Sequence, residues 1–470
     1  MLFSALTFLC LFLPVVIGGF LVLGWLGWRR LALLWLGLAS LVFYGWDDPA
    51  RLLPLILASI TFNYGIGWGL ARWPQRGLLV LGVTGNLGLL GFYKYADFLC
   101  GTLNHVAGLA LPLPGIALPI GISFFTFTQI AFLVDTWRGQ AREYSPVHFL
   151  VFVTYFPHLI AGPILHHKNL IPQFDKAEVF RPSLSNLALG TSWFALGLAK
   201  KLLLADPISR YVGPVFDAAG HGAPLSAADA WAGCISYTLQ LYFDFSGYSD
   251  MAIGLSLLIG VTLPLNFDSP YRANSMIDFW RRWHMTLSQF LRDYLYIPLG
   301  GSRKGRARRY ANLVVTMLLG GLWHGAAWTF VLWGAIHGLA LAINHFWREC
   351  GGRLPSLAAR ALTLLVVVLA WVPFRAAGLD ETLRLWRAMA GGGGGLVIVD
   401  SAALWWIVGL GIIALFFPNT QTLLVSPRTG RWAIRWQPSW PWATGLGIAF
   451  GAALAVMLSA APSEFLYFRF

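Results

Sequence analysis

The stretch YANLVVTMLLGGLWHGAAWTFVLWGAIHGLALAINHF, from Tyr310 to Phe346, holds no Asp, Glu, Lys or Arg. A helix rising about 1.5 Å per residue needs roughly 20 apolar residues to cross the hydrocarbon core of a bilayer. The stretch therefore reads as two consecutive spans, 310–327 and 329–346. His324 then lies about 21 Å along its helix, well inside a core of about 30 Å. A titratable side chain at that depth is costly and usually functional. Gly320, Gly321 and Gly325 leave room beside it for a ligand or another backbone. The structural alternative is a buried histidine hydrogen-bonded to a neighbouring helix.

The rest of the chain fits this setting. It has 470 residues, 57% hydrophobic and 11% charged, with mean hydropathy +0.65. A soluble domain carries roughly 25% charged residues. The reading is an all-α, polytopic membrane protein with eleven to fourteen membrane helices, counting re-entrant and interfacial ones, arranged around a central tunnel in a single domain, 1–470. Candidate spans are 3–27, 31–46, 52–71, 77–97, 116–134, 147–166, 186–205, 229–246, 250–265, 310–327, 329–346, 358–374, 401–417 and 442–461. The N-terminal run is expected to be a retained helix, since it lacks a basic leader and a cleavage site. The 23 Trp fit rings lying at lipid–water interfaces. Basic residues at 29–30, 72–76, 138–142, 200–201 and 303–309 are expected in cytoplasmic loops, which places both termini outside. The net charge of +13 is read as topological, not as a nucleic-acid surface. Cys10, Cys100, Cys234 and Cys350 form no metal or redox spacing.

One segment is too polar to cross. In 266–300, Trp280, Trp283, His284, Leu287, Leu291 and Tyr294 recur at three- and four-residue spacing, with Asp278, Arg281, Arg282, Gln289 and Arg292 between them. That pattern predicts an amphipathic helix at the interface or dipping inward. His284 and His324 differ in exposure and could divide base and orienting roles. In TyrPheAspPheSerGlyTyrSerAspMetAlaIleGly (242–254), Asp244 and Asp250 need partners, for which Arg272, Arg281 or Arg282 are candidates. PheProHisLeuIleAlaGlyProIle (156–164) predicts an interrupted helix. His166 and His167 read as interfacial, with no carboxylate nearby in sequence, and His337 and His345 as structural.

Taken together, these pieces resemble the membrane-bound O-acyltransferases. The matching stretches are LeuProIleGlyIleSerPhePheThrPheThrGln (118–129), PheProHisLeuIleAlaGlyPro (156–163), AspPheSerGlyTyrSerAspMetAlaIleGly (244–254), AsnPheAspSerProTyr (266–271), AspPheTrpArgArgTrpHisMetThrLeuSer (278–288), LeuArgAspTyrLeuTyrIleProLeuGlyGly (291–301) and GlyLeuTrpHisGly (321–325). They span about 118–345. The terminal SerGluPheLeuTyrPheArgPhe (463–470) is similar to the bacterial branch that modifies alginate, cellulose, peptidoglycan and teichoic acid. The resemblance implies an O-acetyltransferase with His324 catalytic and His284 as the second motif histidine. Trp323, Asp244, Tyr248, Asp250, Trp280, Arg281 and Arg282 are the substrate-binding candidates. It further implies acetyl-CoA as donor substrate with no permanent cofactor or metal. It places the protein in the bacterial inner membrane, working with an extracytoplasmic serine-hydrolase-like partner and exopolysaccharide machinery. An imidazole kept from water is expected to stay neutral and basic. The competing reading is a transporter or scaffold for polysaccharide export.

Overall fold

The computed structural model describes residues 1–143, 145–395, 399–425, 436–459 and 463–466. Among them every regular element is helical. The last four residues of the terminal aromatic stretch lie outside this set. Seven helices are long and apolar enough to cross a bilayer: Phe8–Trp25, Pro49–Arg72, Arg76–Ala107, Leu184–Ser209, Trp328–Glu349, Ser356–Arg375 and Trp440–Ser459. Ile122–Trp137 and Ser401–Phe416 are shorter apolar helices. Arg29–Gly45, Ala227–Leu258 and Arg306–His324 have comparable length. Large apolar side chains such as Val22, Leu81, Ile343 and Ile448 point outward, which lipid solvates and water would not.

The chain runs back and forth between two compact units. The first comprises Met1–Leu198, Tyr248–Pro264 and the described residues from Gln437 on; the second comprises Ala199–Gly247 and Leu265–Trp436. In the first, Asp48 accepts from the Arg51 N–H and Pro49 opens the helix that follows, a start signal written in the sequence. Asn63 and Asn86 exchange side-chain hydrogen bonds of 3.1 and 2.6 Å between neighbouring helices, satisfying amides that lipid cannot. Gly190 and Gly254 let two backbones approach: a Cβ on Gly254 would sit 2.6 Å from the Gly190 carbonyl oxygen.

Two expected elements came out differently, and a third, 147–166, is interrupted as the run 156–164 predicted. The spans 229–246 and 250–265 are one helix, Ala227–Leu258, of 32 residues. Asp244, Ser246, Ser249 and Asp250 are all buried on it, so the polar patch at its middle is covered by protein and need not end the helix. The span 147–166 stops at Thr154, resumes as Phe156–Leu159 and then runs irregularly to His166. This buried, non-helical backbone is tolerated because protein surrounds it. The expected amphipathic helix is two short ones, Met276–Trp280 and Met285–Leu291. The helix breaks between them, and His284, which precedes the second, has a left-handed backbone (φ 41°, ψ 56°). The apolar spacing nevertheless marked a buried face correctly, for Trp280, Trp283, His284, Leu287 and Leu291 are all inside.

In the second unit, Arg306–His324 and Trp328–Glu349 form an antiparallel hairpin. Gly321 faces the Phe330 carbonyl, Gly334 faces that of Met317, and a Cβ on Gly338 would come 2.8 Å from the Val314 Cα. Gly334 and Gly338 are a small-xxx-small pair, which allows close packing where no hydrophobic effect drives helices together. At the open end, Glu349 takes hydrogen bonds from Arg309 and from the Tyr310 hydroxyl (2.8 Å).

Gly334→Ala would push a methyl into backbone. We expect a loss of about 2 kcal/mol or more, read as a lower melting temperature of the detergent-solubilised protein. Gly409→Ala, where nothing lies within 4 Å, should melt unchanged or higher.

Candidate functional site

His324 is the last residue of its helix rather than a mid-helix residue. Gly325 turns extended and its N–H closes on the Gly321 carbonyl. The ring is only 2% exposed. It lies against Trp323 at 4.8 Å, Trp333 at 5.0 Å and Phe374 at 5.1 Å, all edge-to-face. The space left by Gly321 and Gly325 is taken by the Phe330 carbonyl and ring, so these glycines serve helix packing rather than a ligand.

His284 is fully buried. Its Nδ1 is 2.9 Å from the Asn266 side-chain oxygen, which also accepts from the Thr286 N–H (3.3 Å) and hydroxyl (3.0 Å). A backbone N–H can only donate, so the Asn266 atom is the oxygen and His284 Nδ1 must donate to it. In a neutral ring Nε2 is then the basic nitrogen. Phe245 lies edge-on at 4.8 Å, and Trp323 at 6.5 Å. One indole, Trp323, thus touches both imidazoles. Asn266 was named in the sequence only as part of a motif run. Nothing in its spacing announced that it fixes the tautomer of a histidine 18 residues on.

The remaining candidates separate. Trp280 donates its N–H to His337 Nδ1 at 3.3 Å and packs on Trp333, so it belongs to the cluster around His324. Arg282 is committed to Asp278 (2.8 Å) and Asp268 (3.6 Å). Arg281 is exposed. Neither is the partner expected for Asp244. That partner is Lys201, whose Nζ lies 2.7 Å from Asp244 and 2.8 Å from Asp206. Lys201 is therefore not in a cytoplasmic loop. It sits buried within the span Leu184–Ser209, where two carboxylates offset its charge. Tyr248 and Asp250 fall in the first unit. There Tyr248 stacks between Phe3 (4.8 Å) and Phe465 (4.3 Å).

His166 and His167 also have carboxylate partners, supplied by tertiary structure. His166 Nδ1 is 3.5 Å from Asp135 and His167 Nε2 is 3.1 Å from Glu143, all four side chains being buried. Burial alone would raise the Glu143 carboxyl. Hydrogen bonds from His148, His167 and the Ser145 N–H outweigh it and hold the group down at about 2.

Two buried imidazoles packed on one indole lie within the helical bundle of a multi-pass membrane protein. Residues 119–373 match the membrane-bound O-acyltransferase family model. The chain is 41% identical over 425 residues to a peptidoglycan O-acetyltransferase of Helicobacter pylori, covering 83% of this chain and 80% of that protein. It is 43% identical over 402 residues to a probable alginate O-acetylase of Pseudomonas aeruginosa, covering 83% and 75%. A teichoic acid D-alanyltransferase of Bacillus subtilis is 28% identical over 259 residues, covering 53% and 65%. The chain belongs to the membrane-bound O-acyltransferase family. It is a multi-pass membrane acyltransferase.

Breaking a buried ion pair strands its partner, typically at about 3–5 kcal/mol. Lys201→Met should therefore sharply reduce folded protein in membranes, measured by fluorescence-detected size exclusion. Lys201→Met with Asp244→Leu and Asp206→Asn should recover much of it, because the ion cluster is then replaced rather than broken.

Proposed function

We propose that this protein is an O-acetyltransferase of the bacterial inner membrane. It takes acetyl from acetyl-CoA at the cytosolic face and passes it outward for O-acetylation of an exported polysaccharide. An extracytoplasmic serine-hydrolase-like protein would complete the transfer. The observation that carries this reading is the pairing of buried His284 and His324 through Trp323. The names of the relatives support the acetyl group and the polysaccharide.

The chemistry is a thioester exchange. An acceptor hydroxyl oxygen attacks the acetyl carbonyl carbon, the C–S bond breaks, and the hydroxyl proton passes through an imidazole to the departing sulfur. His324 would take and return that proton. His284, its tautomer set by Asn266, would orient the reacting groups. Because His324 is nearly enclosed, the surrounding rings would move to open a central tunnel when the thioester arrives. Arg303, Lys304, Arg306 and Arg308 are exposed and would attract the CoA phosphates.

His324→Ala should lower acetyl transfer by about 10²-fold or more, with normal melting and membrane insertion. The assay is release of labelled acetyl from acetyl-CoA by purified protein with its hydrolase-like partner and polymer. A folded wild type that moves no label, or a His324→Ala protein as active as wild type, would overturn the proposal. Replacing Arg303, Lys304 and Arg308 together by Ala should raise KM for acetyl-CoA on the order of 10-fold and weaken its salt dependence, leaving kcat near wild type.

A further inference from the structure

Around Trp333, which packs on His324, lies a group of nitrogen donors without acceptors among the described residues. His337 is fully buried, and Trp333 and Trp371 are 1% exposed. Their rings form one cluster: Trp333 to His337 at 4.7 Å, Trp333 to Trp371 at 5.9 Å and His337 to Trp371 at 6.1 Å. Trp333 is also 5.0 Å from His324. The His337 tautomer follows from its neighbour. An indole N–H can only donate, so the Trp280 N–H, 3.3 Å from His337 Nδ1, requires that nitrogen to accept. A neutral His337 then carries its proton on Nε2. That Nε2, the Trp333 Nε1 and the Trp371 Nε1 have no hydrogen-bond partner among the described residues.

Buried donors without acceptors are uncommon and call for a reason. Buried serine and tyrosine hydroxyls can rotate toward alternatives, whereas these three N–H vectors are fixed by packed rings. They suit a group that only accepts. A carbonyl oxygen offers two lone pairs, and the oxyanion formed when a nucleophile adds to it offers three. Donors on a ring cluster that packs on the base would, when turned to one oxygen, favour the addition intermediate over the ground state, the arrangement that lowers a barrier.

We infer that Trp333, Trp371 and His337 are the hydrogen-bond donors to the acyl oxygen during transfer, with Trp280 holding His337 in the donating tautomer. The inference rests on the acetyltransferase reading above. In the balanced step, the acceptor oxygen bonds to the acetyl carbon and the C=O π electrons move onto oxygen, where the three N–H groups hold them. The electrons return as the C–S bond breaks, and the hydroxyl proton reaches sulfur through His324. Packed rings hold the three N–H groups in place before a substrate arrives, so the site is preorganised.

That last point supplies a test which a structural role fails. Trp333→Phe and Trp371→Phe each remove one N–H and keep an aromatic ring. We expect kcat to fall on the order of 10²-fold for each, KM for acetyl-CoA to stay near wild type, and the melting temperature to stay level or rise, because an unsatisfied buried donor is gone. His337→Gln, which retains an N–H, should keep more activity than His337→Leu, and Trp280→Phe should lose less than either indole variant at 333 or 371. Full kcat in both Trp→Phe proteins overturns the donor set while leaving the acetyltransferase reading intact, whether melting rises (idle donors) or falls (donors satisfied by resident water). Wild type that moves no label overturns both.

Discussion

The close approach of Arg306–His324 and Trp328–Glu349 is the constraint on which the second unit turns. Lipid tails are as apolar as leucine, so these helices gain nothing by hiding apolar side chains from each other. They associate because Gly321, Gly334 and Gly338 allow backbone to meet backbone. That contact sets the register which places His324 against Trp333 and, one turn on, His337 beside Trp333. Bulkier residues at these glycines would part the helices and leave the imidazoles without their aromatic walls.

A second constraint follows from the same solvent. Polar groups in hydrocarbon must be answered by protein. Asn63 is answered by Asn86, Asp244 by Lys201, His167 by Glu143 and His284 by Asn266. Each pair joins residues between 18 and 43 positions apart, so each fixes the chain over a distance as well as satisfying a charge or dipole. The donors around Trp333 differ from these pairs in being grouped on rings that pack beside the candidate base.

Two members of the candidate site were legible. An imidazole in an apolar run free of acidic and basic residues, and a second on an aromatic-rich polar segment, are local facts of composition and spacing. The periodicity of Trp280, Trp283, Leu287 and Leu291 marked their buried face. The break at His284 was not legible. A left-handed residue between two short helices is held by the Asn266 hydrogen bonds and surrounding rings, none of which leaves a periodic trace. Lys201 was misplaced for a related reason: counted with the loop cations, it is in fact a membrane-embedded cation whose carboxylates lie 5 and 43 residues downstream.

By itself, then, the sequence determined the solvent, the helical class and the family and singled out two histidines as candidates, because hydropathy, helical period and motif order are carried by neighbours along the chain. Tertiary structure decided which glycines face backbone, which carboxylate answers which cation, which nitrogen of His284 and His337 bears the proton, and that Trp323 touches both imidazoles. Those depend on contacts between residues far apart in the chain, which hydropathy and period do not encode.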